Sequence, residues 1–251
     1  QFSARQKAEN FSPEQMAEGI AYAHQRGSKV HVAVNTLLRN EEIGDFIAYA
    51  YQLAELQVDA VIIQDLGAAH LLRETLPQLP LHASTQMAVH NAAGVQFLQQ
   101  QGFERVVLAR ETSLDNIRQI KATNDVELEV FVHGALCVSY SGQCLLSSMI
   151  GGRSGNRGLC AQPCRMKYQL LDDAGNEYKA KDGDYLLSTR DLNMLEHLPE
   201  LLASGVTSLK IEGRMKRPEY VATVIRYYRQ AIDAYYAHQK FDCRLAQQQL
   251  L

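Results

Sequence analysis

Short β-branched runs alternate with amphipathic helical stretches along most of the chain. The first helix is predicted to begin with Ser12 as its N-cap and Pro13 at the first helical position, and to extend to Gly27. A short apolar run follows, and a polar, acidic helical stretch then continues to about Leu56. The same alternation predicts seven strands, at residues 29–36, 60–65, 81–85, 105–110, 126–133, 185–189 and 208–212.

Seven strands that alternate with helices indicate an α/β fold with a parallel sheet, whose strands are apolar because helices cover both faces. A doubly wound sheet would show the same alternation. Nearly every predicted strand ends in polar side chains, however, and in a (β/α) barrel all such ends meet on one face, where the active sites of that fold lie. These polar ends are Asn35, Gln64, Asp65, His82, Ser84, Thr85, Gln86, Arg110, Glu111, His133 and Glu212. The sequence therefore predicts a TIM-like (β/α) barrel with parallel strands.

The expected domain organisation is one barrel and the start of a further region. A length of 251 residues with 46% hydrophobic content is sufficient for one large domain. We expect residues 1–238 to form the barrel domain and residues 239–251 to begin a linker or a further C-terminal region. The chain begins at Gln1 without an initiator Met, so the barrel is expected to lack its first strands in this segment.

Charge and hydropathy narrow the expected partners and location. The formal net charge of −3 means that an RNA partner would have to be held by a local basic patch. No run approaches the roughly 18 apolar residues that span a membrane. Residues 1–11 also lack the features of a signal peptide. We therefore expect no membrane span and a cytoplasmic protein.

Four of the five cysteines lie close together, with the spacing Cys137-x6-Cys144-x15-Cys160-x3-Cys164. They fall in a predicted loop, residues 137–165, over the carboxyl ends of the strands. Buried small side chains or a disulfide are the structural explanation, although cytosolic proteins seldom keep disulfides. Zinc sites usually have two short cysteine hooks, and only the last spacing resembles one. Four thiolates at irregular spacing favour an iron–sulfur cluster.

Charged side chains at the strand ends are the candidate catalytic and binding groups. Arg110 and Lys210 are placed to bind an anionic ligand, and Glu212 is their natural partner or an acid/base group. His133 is a candidate for proton transfer, as is His82. Further candidates for contacts with carboxylates or phosphates of a ligand are Arg157, Arg165 and Arg214. For each cation the alternative is a solvated surface charge, and for each histidine it is a structural role.

The sequence offers no common hydrolytic motif. It contains neither H-E-x-x-H nor G-x-S-x-G. Cys137 follows His133 by four residues, which would allow a cysteine protease, but four clustered cysteines fit that chemistry poorly.

Cations and tyrosines are mixed at residues 214–220 and 226–229, a pattern compatible with RNA phosphates and stacked bases. The alternative is an amphipathic helix over residues 218–237 whose tyrosines lie at the core boundary.

Four segments together resemble the signature of peptidase family U32. They are residues 129–147 (EVFVHGALCVSYSGQCLLS), 156–165 (NRGLCAQPCR), 188–192 (STRDL) and 208–214 (SLKIEGR). The resemblance covers nearly the whole chain. Early members of this family were described as collagenases, and later ones act in oxygen-independent or prephenate-dependent hydroxylation.

The resemblance implies a [4Fe–4S] cluster, with Cys137, Cys144 and Cys160 as ligands and Cys164 as the further candidate. It also implies prephenate as a co-substrate and tRNA or ribosomal RNA as the partner. Because relatives in the ubiquinone pathway work in pairs, a homologous protein partner is a further expectation. The leading hypothesis is an iron–sulfur-dependent RNA hydroxylase. A collagenase-like peptidase and an accessory protein of oxygen-independent ubiquinone hydroxylation are the alternatives.

Overall fold

Six parallel strands form the centre of the computed structural model, which describes residues 2–4, 10–178, 183–213 and 216–250. The strands are β1 (His31–Val34), β2 (Ala60–Ile63), β3 (Leu81–Ala83), β4 (Phe103–Val107), β5 (Glu127–Gly134) and β9 (Ser208–Ile211). They are hydrogen-bonded in the order β1-β2-β3-β4-β5-β9, and each pair is parallel. The expected parallel α/β architecture is therefore confirmed.

Three shorter strands complete the sheets. β6 (Leu170–Leu171) and β7 (Glu177–Tyr178) form a separate antiparallel hairpin. β8 (Leu192–Asn193) pairs antiparallel with the carboxyl end of β5.

Helices separate the strands, as the hydrophobic pattern predicts. They are α1 (Pro13–His24), α2 (Ile43–Glu55), α3 (Leu66–Thr75), α4 (Ala92–Gln100), α5 (Leu114–Thr123), α6 (Leu146–Gly151), α7 (Leu198–Ala203), α8 (Pro218–Tyr236) and α9 (Cys243–Leu250). The side chains of Ser12, Asp65, Asn91 and Ser113 accept hydrogen bonds from the first turns of α1, α3, α4 and α5. Each cap satisfies a backbone N–H group that a helix start leaves without an intrahelical partner.

The core lies between the strands and their helices. Val61, Leu81 and Leu128 on the strands are fully buried, as are Leu53 and Leu72 on the helices. Burying apolar side chains from the strands and the helices is the dominant favourable contribution to the folding free energy of this layered region.

Six of the seven predicted strands are confirmed, and the one at residues 185–189 is wrong. Residues 185–188 instead form a turn, in which the Ser188 N–H donates to the Tyr185 carbonyl at 3.0 Å. The Arg165 guanidinium donates to the Thr189 carbonyl and to the Ser188 hydroxyl, the latter at 2.8 Å. A side chain thus binds the carbonyl that a strand would offer to its neighbour. The neighbour of β5 at this end is instead the short β8.

The TIM-like barrel, predicted to lack its first strands in this segment, is not confirmed. In the described ranges, β1 pairs with β2 alone and β9 with β5 alone, so no strand pair closes the sheet.

Residues 239–251, expected to begin a linker, contain α9, whose Ala246 is buried. No helix in the described part of the chain combines the length and apolar character that crossing a membrane requires.

Candidate functional site

The four clustered cysteines lie on an irregular stretch that begins where β5 ends. This stretch, residues 135–165, is called the cysteine segment below. Cys137 and Cys144 precede α6, and Cys160 and Cys164 follow it. All four thiols are free, Cys137 and Cys160 being exposed and the other two half-buried.

The other three clustered thiols lie close enough to Cys164 to affect its pKa. Burial raises the pKa of the Cys164 thiol, Arg165 partly offsets this, and Cys160, Cys137 and Cys144 raise the pKa further. Among the residues that the structure describes, however, no three His, Cys, Asp or Glu side chains are grouped tightly enough to hold a metal ion. The cysteines therefore converge on one region without forming a closed ligand set.

Glu111, just after β4, anchors the first part of the cysteine segment. Its carboxylate accepts hydrogen bonds from the backbone N–H of Ser141 and from its hydroxyl, both at 2.9 Å. It also lies 3.0 Å from Nε2 of His90. Burial raises the pKa of Glu111, but these hydrogen bonds outweigh burial and hold its pKa below the usual value. Glu111 is thus a charged anchor between a strand end and the loop that carries Cys137 and Cys144.

Gly142 brings the same loop against the turn after β3. A Cβ atom at this position would lie 2.0 Å from the carbonyl oxygen of Gln86, and the residue has φ of +74°. Only glycine tolerates both the positive φ and this close approach. Asn156 donates to the Gly142 carbonyl at 3.0 Å and so joins the two halves of the cysteine segment.

Arg157 and Glu42 tie the segment to the loop after β1. The guanidinium of Arg157 donates to both carboxylate oxygens of Glu42 and to the carbonyl of Leu37. This pairing lowers the pKa of Glu42 to about 2 and raises the pKa of Arg157. The binding of a cofactor or ligand by Arg157 stays a prediction, and the structure shows the guanidinium engaged in an internal contact.

Arg165 performs a similar structural task at the other end of the segment. Its guanidinium donates to the Leu136 carbonyl at 2.6 Å, and Thr189 also donates to that carbonyl, at 2.8 Å. Arg165 therefore joins the residue before Cys137 to the segment preceding β8. Its predicted ligand contact is likewise untested.

Arg110 and Glu212 are brought together at the ends of β4 and β9. Their side chains form an ion pair with an N–O distance of 3.6 Å, and both are largely shielded from solvent. The Arg110 guanidinium also lies 3.9 Å from the centre of the Phe131 ring and 4.0 Å from the Cys137 sulfur. The Arg110 guanidinium thus lies beside one clustered thiol, where it could contact an anionic ligand.

Lys210, a predicted catalytic residue, forms an ion pair with a buried carboxylate on the sheet, and its catalytic role stays a prediction. Its ammonium group is 2.6 Å from the buried carboxylate of Glu129, which Ser208 and Arg105 also contact. Burial raises the pKa of Glu129, but Lys210, Ser208 and Arg105 outweigh it and the pKa lies below the usual value. Nearby, the rings of His31 and His82 are 4.6 Å apart.

His133 lies against α8. Its Nδ1 is 3.5 Å from the hydroxyl of Tyr228, and its ring centre is 5.9 Å from that of Tyr220. Burial lowers the pKa of His133, although Asp191 partly offsets this. These contacts show His133 packed between the sheet and the helix layer, and its proposed proton transfer stays a prediction.

Two further sequence predictions concern residues 214–229. Arg214 lies outside the described residues. The helix expected over residues 218–237 is confirmed as α8, and Tyr228 is buried with its hydroxyl donating to the Val132 carbonyl at 2.7 Å. Tyr228 therefore supports the helix interpretation, since a buried side chain does not offer a stacking surface.

A cavity of about 230 Å³ opens beside Cys137. Arg110 and Glu111 line one side of it and residues 136–141 the other. A second cavity, of about 340 Å³, lies between α3 and α4, and none of the predicted site residues lines it.

The anchors Ser141, Gly142, Gln86 and His90 were not among the predicted site residues. The polar ends of the strands pointed to Gln86 and Glu111, but no local pattern pairs a glycine on one loop with a carbonyl on another. The fold and site together define a parallel α/β protein with a cysteine-bearing loop at one end of its strands.

The chain belongs to Peptidase family U32, whose model matches residues 1–250. It is 40% identical over 241 residues to tRNA hydroxylation protein P1 of Bacillus subtilis (strain 168), covering 94% of this chain and 57% of that protein. It is 42% identical over 233 residues to a 23S rRNA 5-hydroxycytidine synthase of Escherichia coli (strain K12), covering 93% of this chain and 35% of that protein. A protein named collagenase from Porphyromonas gingivalis is 35% identical over 240 residues, covering 91% of this chain and 57% of its own length.

The chain thus spans between about a third and three fifths of the length of these relatives. A solved structure of a U32 peptidase is also similar, with a TM-score of 0.46 and 16% identity over 53% of this chain and 57% of its own.

Proposed function

We propose that this chain carries the cysteine site of an RNA-modifying hydroxylase. The observation that carries the proposal is the placement of four free thiols on one segment that follows β5, with the Cys137 sulfur 4.0 Å from the guanidinium of the Arg110–Glu212 pair. Relatives named for tRNA hydroxylation and for 5-hydroxycytidine synthesis support the reaction class.

The four thiols would hold a [4Fe–4S] cluster. Their donor chemistry fits this group, since such clusters are ligated by cysteine thiolates, and Cys164 is the candidate fourth ligand. When bound, the cluster supplies electron transfer or Lewis acidity beside the cavity. The exposure of Cys137 and Cys160 leaves room for the segment to adjust around an inorganic core.

The chain's own charged groups would orient the reactants. Arg110 places a positive charge at the cavity and Glu212 holds its guanidinium from the β9 side. Prephenate, a dicarboxylate, is the proposed co-substrate that this charge would attract. Glu111 binds Ser141 on the loop that bears Cys137 and Cys144, and it follows Arg110 directly in the sequence. It would therefore keep that loop at a fixed distance from Arg110.

The test is anoxic purification of the full-length protein, followed by iron and sulfide analysis. About four irons and four sulfides per chain are expected. Cys137→Ala should lower both, whereas Cys243→Ala is the matched control, because Cys243 lies on α9 outside the cluster. Iron absent from anoxically purified protein would contradict the cluster.

Activity requires a separate measurement. RNA from cells lacking the protein, complemented with wild type or Cys137→Ala, should differ by one oxygen atom on a pyrimidine, as read by mass spectrometry of nucleosides. Peptide hydrolysis that persists without iron, with unmodified RNA, would instead support the peptidase alternative. Restored quinone synthesis only in the presence of a homologous partner would support the accessory alternative.

A further inference from the structure

The cavity beside Cys137 is small and has mixed walls. Its volume of about 230 Å³ lies below the roughly 300–1,000 Å³ of pockets that take drug-sized ligands, so it suits a single ring system. Leu136 and Val138 contribute apolar surface, and Arg110 and Glu111 contribute ionisable groups. A heteroaromatic ring has apolar faces and polar edges, so its surface complements a cavity with such walls.

Tyr140 lines this cavity and keeps 66% of its surface exposed. Its ring centre is 6.0 Å from that of His90, whose Nδ1 is 2.7 Å from the Ala88 carbonyl and whose Nε2 is 3.0 Å from Glu111. The Tyr140 carbonyl accepts a hydrogen bond from the backbone N–H of Gln143 at 3.1 Å. The loop around Tyr140 is therefore fixed, while most of the ring remains open to a ligand.

An unpaired nucleobase fits this combination better than a flexible chain does. Enzymes that act on a base take it out of the stack and hold it against aromatic side chains. Each base offers a π-face to such a ring whatever its sequence context.

We propose that the cavity beside Cys137 receives one unpaired nucleobase and that Tyr140 stacks against it. This inference rests on the RNA-modifying function proposed above and adds to it the site of the base. Tyr140 thereby becomes a substrate-contacting residue next to a candidate cluster ligand.

The test is equilibrium binding of a fluorescently labelled oligouridine of about ten nucleotides to the full-length protein under anoxic conditions. Tyr140→Leu removes the π-face but keeps an apolar side chain, and should weaken binding by about 5- to 150-fold. Tyr140→Phe keeps the ring and should bind within about twofold of wild type. Tyr236→Leu is the matched control, because Tyr236 on α8 is equally exposed and does not line the cavity.

A second probe separates the base from the backbone. The same sugar-phosphate chain with abasic nucleotides should bind wild type and Tyr140→Leu equally, because no ring is present to stack. If Tyr140→Leu binds oligouridine as wild type does, or loses affinity for both probes alike, the stacking role is overturned.

The two proposals fail in different ways. Wild-type protein that binds neither probe and leaves cellular RNA unmodified would overturn the RNA function together with this inference. Wild-type protein that binds and modifies RNA, with Tyr140→Leu unchanged in both, would overturn the inference alone.

Discussion

The parallel sheet and the cysteine segment are stabilised in different ways. Strands β2 and β3 are almost wholly buried between helices, and their stability comes from many apolar contacts of similar kind. The cysteine segment has exposed apolar side chains such as Leu145 and Met149, and individual anchors hold it: Glu111, Gly142, Arg157 and Arg165. A single substitution should therefore act globally in the sheet and locally in the segment.

The largest expected effect is a cavity in the sheet. Leu128→Ala on β5 removes a fully buried side chain and should lower the free energy of unfolding by about 2–5 kcal/mol. Urea denaturation followed by circular dichroism measures this. Leu145→Ala, at an exposed position of the segment, is the control and should change the free energy of unfolding by less than about 0.5 kcal/mol. Equal losses in the two variants would contradict the division between sheet and segment.

A pH-dependent loss of stability is expected from His82 on β3. Burial, then Arg105, lowers the pKa of His82 from 6.5 to about 4. As the pH falls, His82 is therefore protonated in the unfolded chain before it is protonated in the folded one. The contribution of His82 to the free energy of unfolding is complete above pH 6.5 and is lost as the pH falls towards 4, by up to roughly 3 kcal/mol. Urea midpoints at several pH values should show a shallower decline in His82→Gln than in wild type.

The control for that experiment is His197→Gln. The His197 side chain is more than half exposed, so the pH dependence should stay as in wild type. An unchanged slope in His82→Gln would show that other groups cause the acid sensitivity.

Gly142→Ala should disturb the segment and leave the sheet in place. The added Cβ would overlap the Gln86 carbonyl, and with positive φ this costs about 1–3 kcal/mol of docking free energy. Amide hydrogen exchange in residues 139–144 should accelerate, while exchange in β2 and β3 stays slow. Gly152→Ala is the matched control, since φ is +64° but no atom lies within 4 Å of the new Cβ. Identical exchange in the two variants would exclude the close approach as the cause.

Glu111→Gln gives the smallest of these effects. The amide keeps one acceptor but removes the charge that strengthens the bonds from Ser141, so docking should weaken by about 1 kcal/mol. Exchange of the Ser141 amide should rise about fivefold with a nearly unchanged urea midpoint. Glu127→Gln, half exposed on β5, is the control, and an effect on Ser141 there would argue against a specific anchor.

The sequence predicts the sheet well because buried strands require apolar side chains, and these are visible directly in the sequence. Each confirmed strand is a short apolar run between helix signals, and the caps at Ser12 and Asp65 are local features. The failed strand at residues 185–189 has only a short, weak apolar run, which forms a turn, and Arg165, some twenty positions earlier, binds the Thr189 carbonyl. Contacts between distant residues of this kind leave no periodic pattern.

His133 shows why side-chain direction was also hard to predict. Strict alternation would place it on the same face of β5 as Phe131, beside Arg110. The pairing of β5 with β9 shifts register between Phe131 and His133, and His133 contacts Tyr228 on α8. The clustering of the cysteines could be anticipated from spacing, whereas the anchors that position them depend on this three-dimensional packing.

The pairing of β5 with β9 has a consequence for variation in chain length. The strands are adjacent in space, yet the whole cysteine segment, the β6–β7 hairpin, β8 and α7 lie between them in sequence. The entropic free-energy cost of closing such a long connection changes by only about 0.6 kcal/mol for each doubling of its length. Insertions, deletions or grafted modules in the exposed hairpin should therefore be tolerated thermodynamically. This connection is thus the natural place for the family to diversify and for a chimaera to be joined.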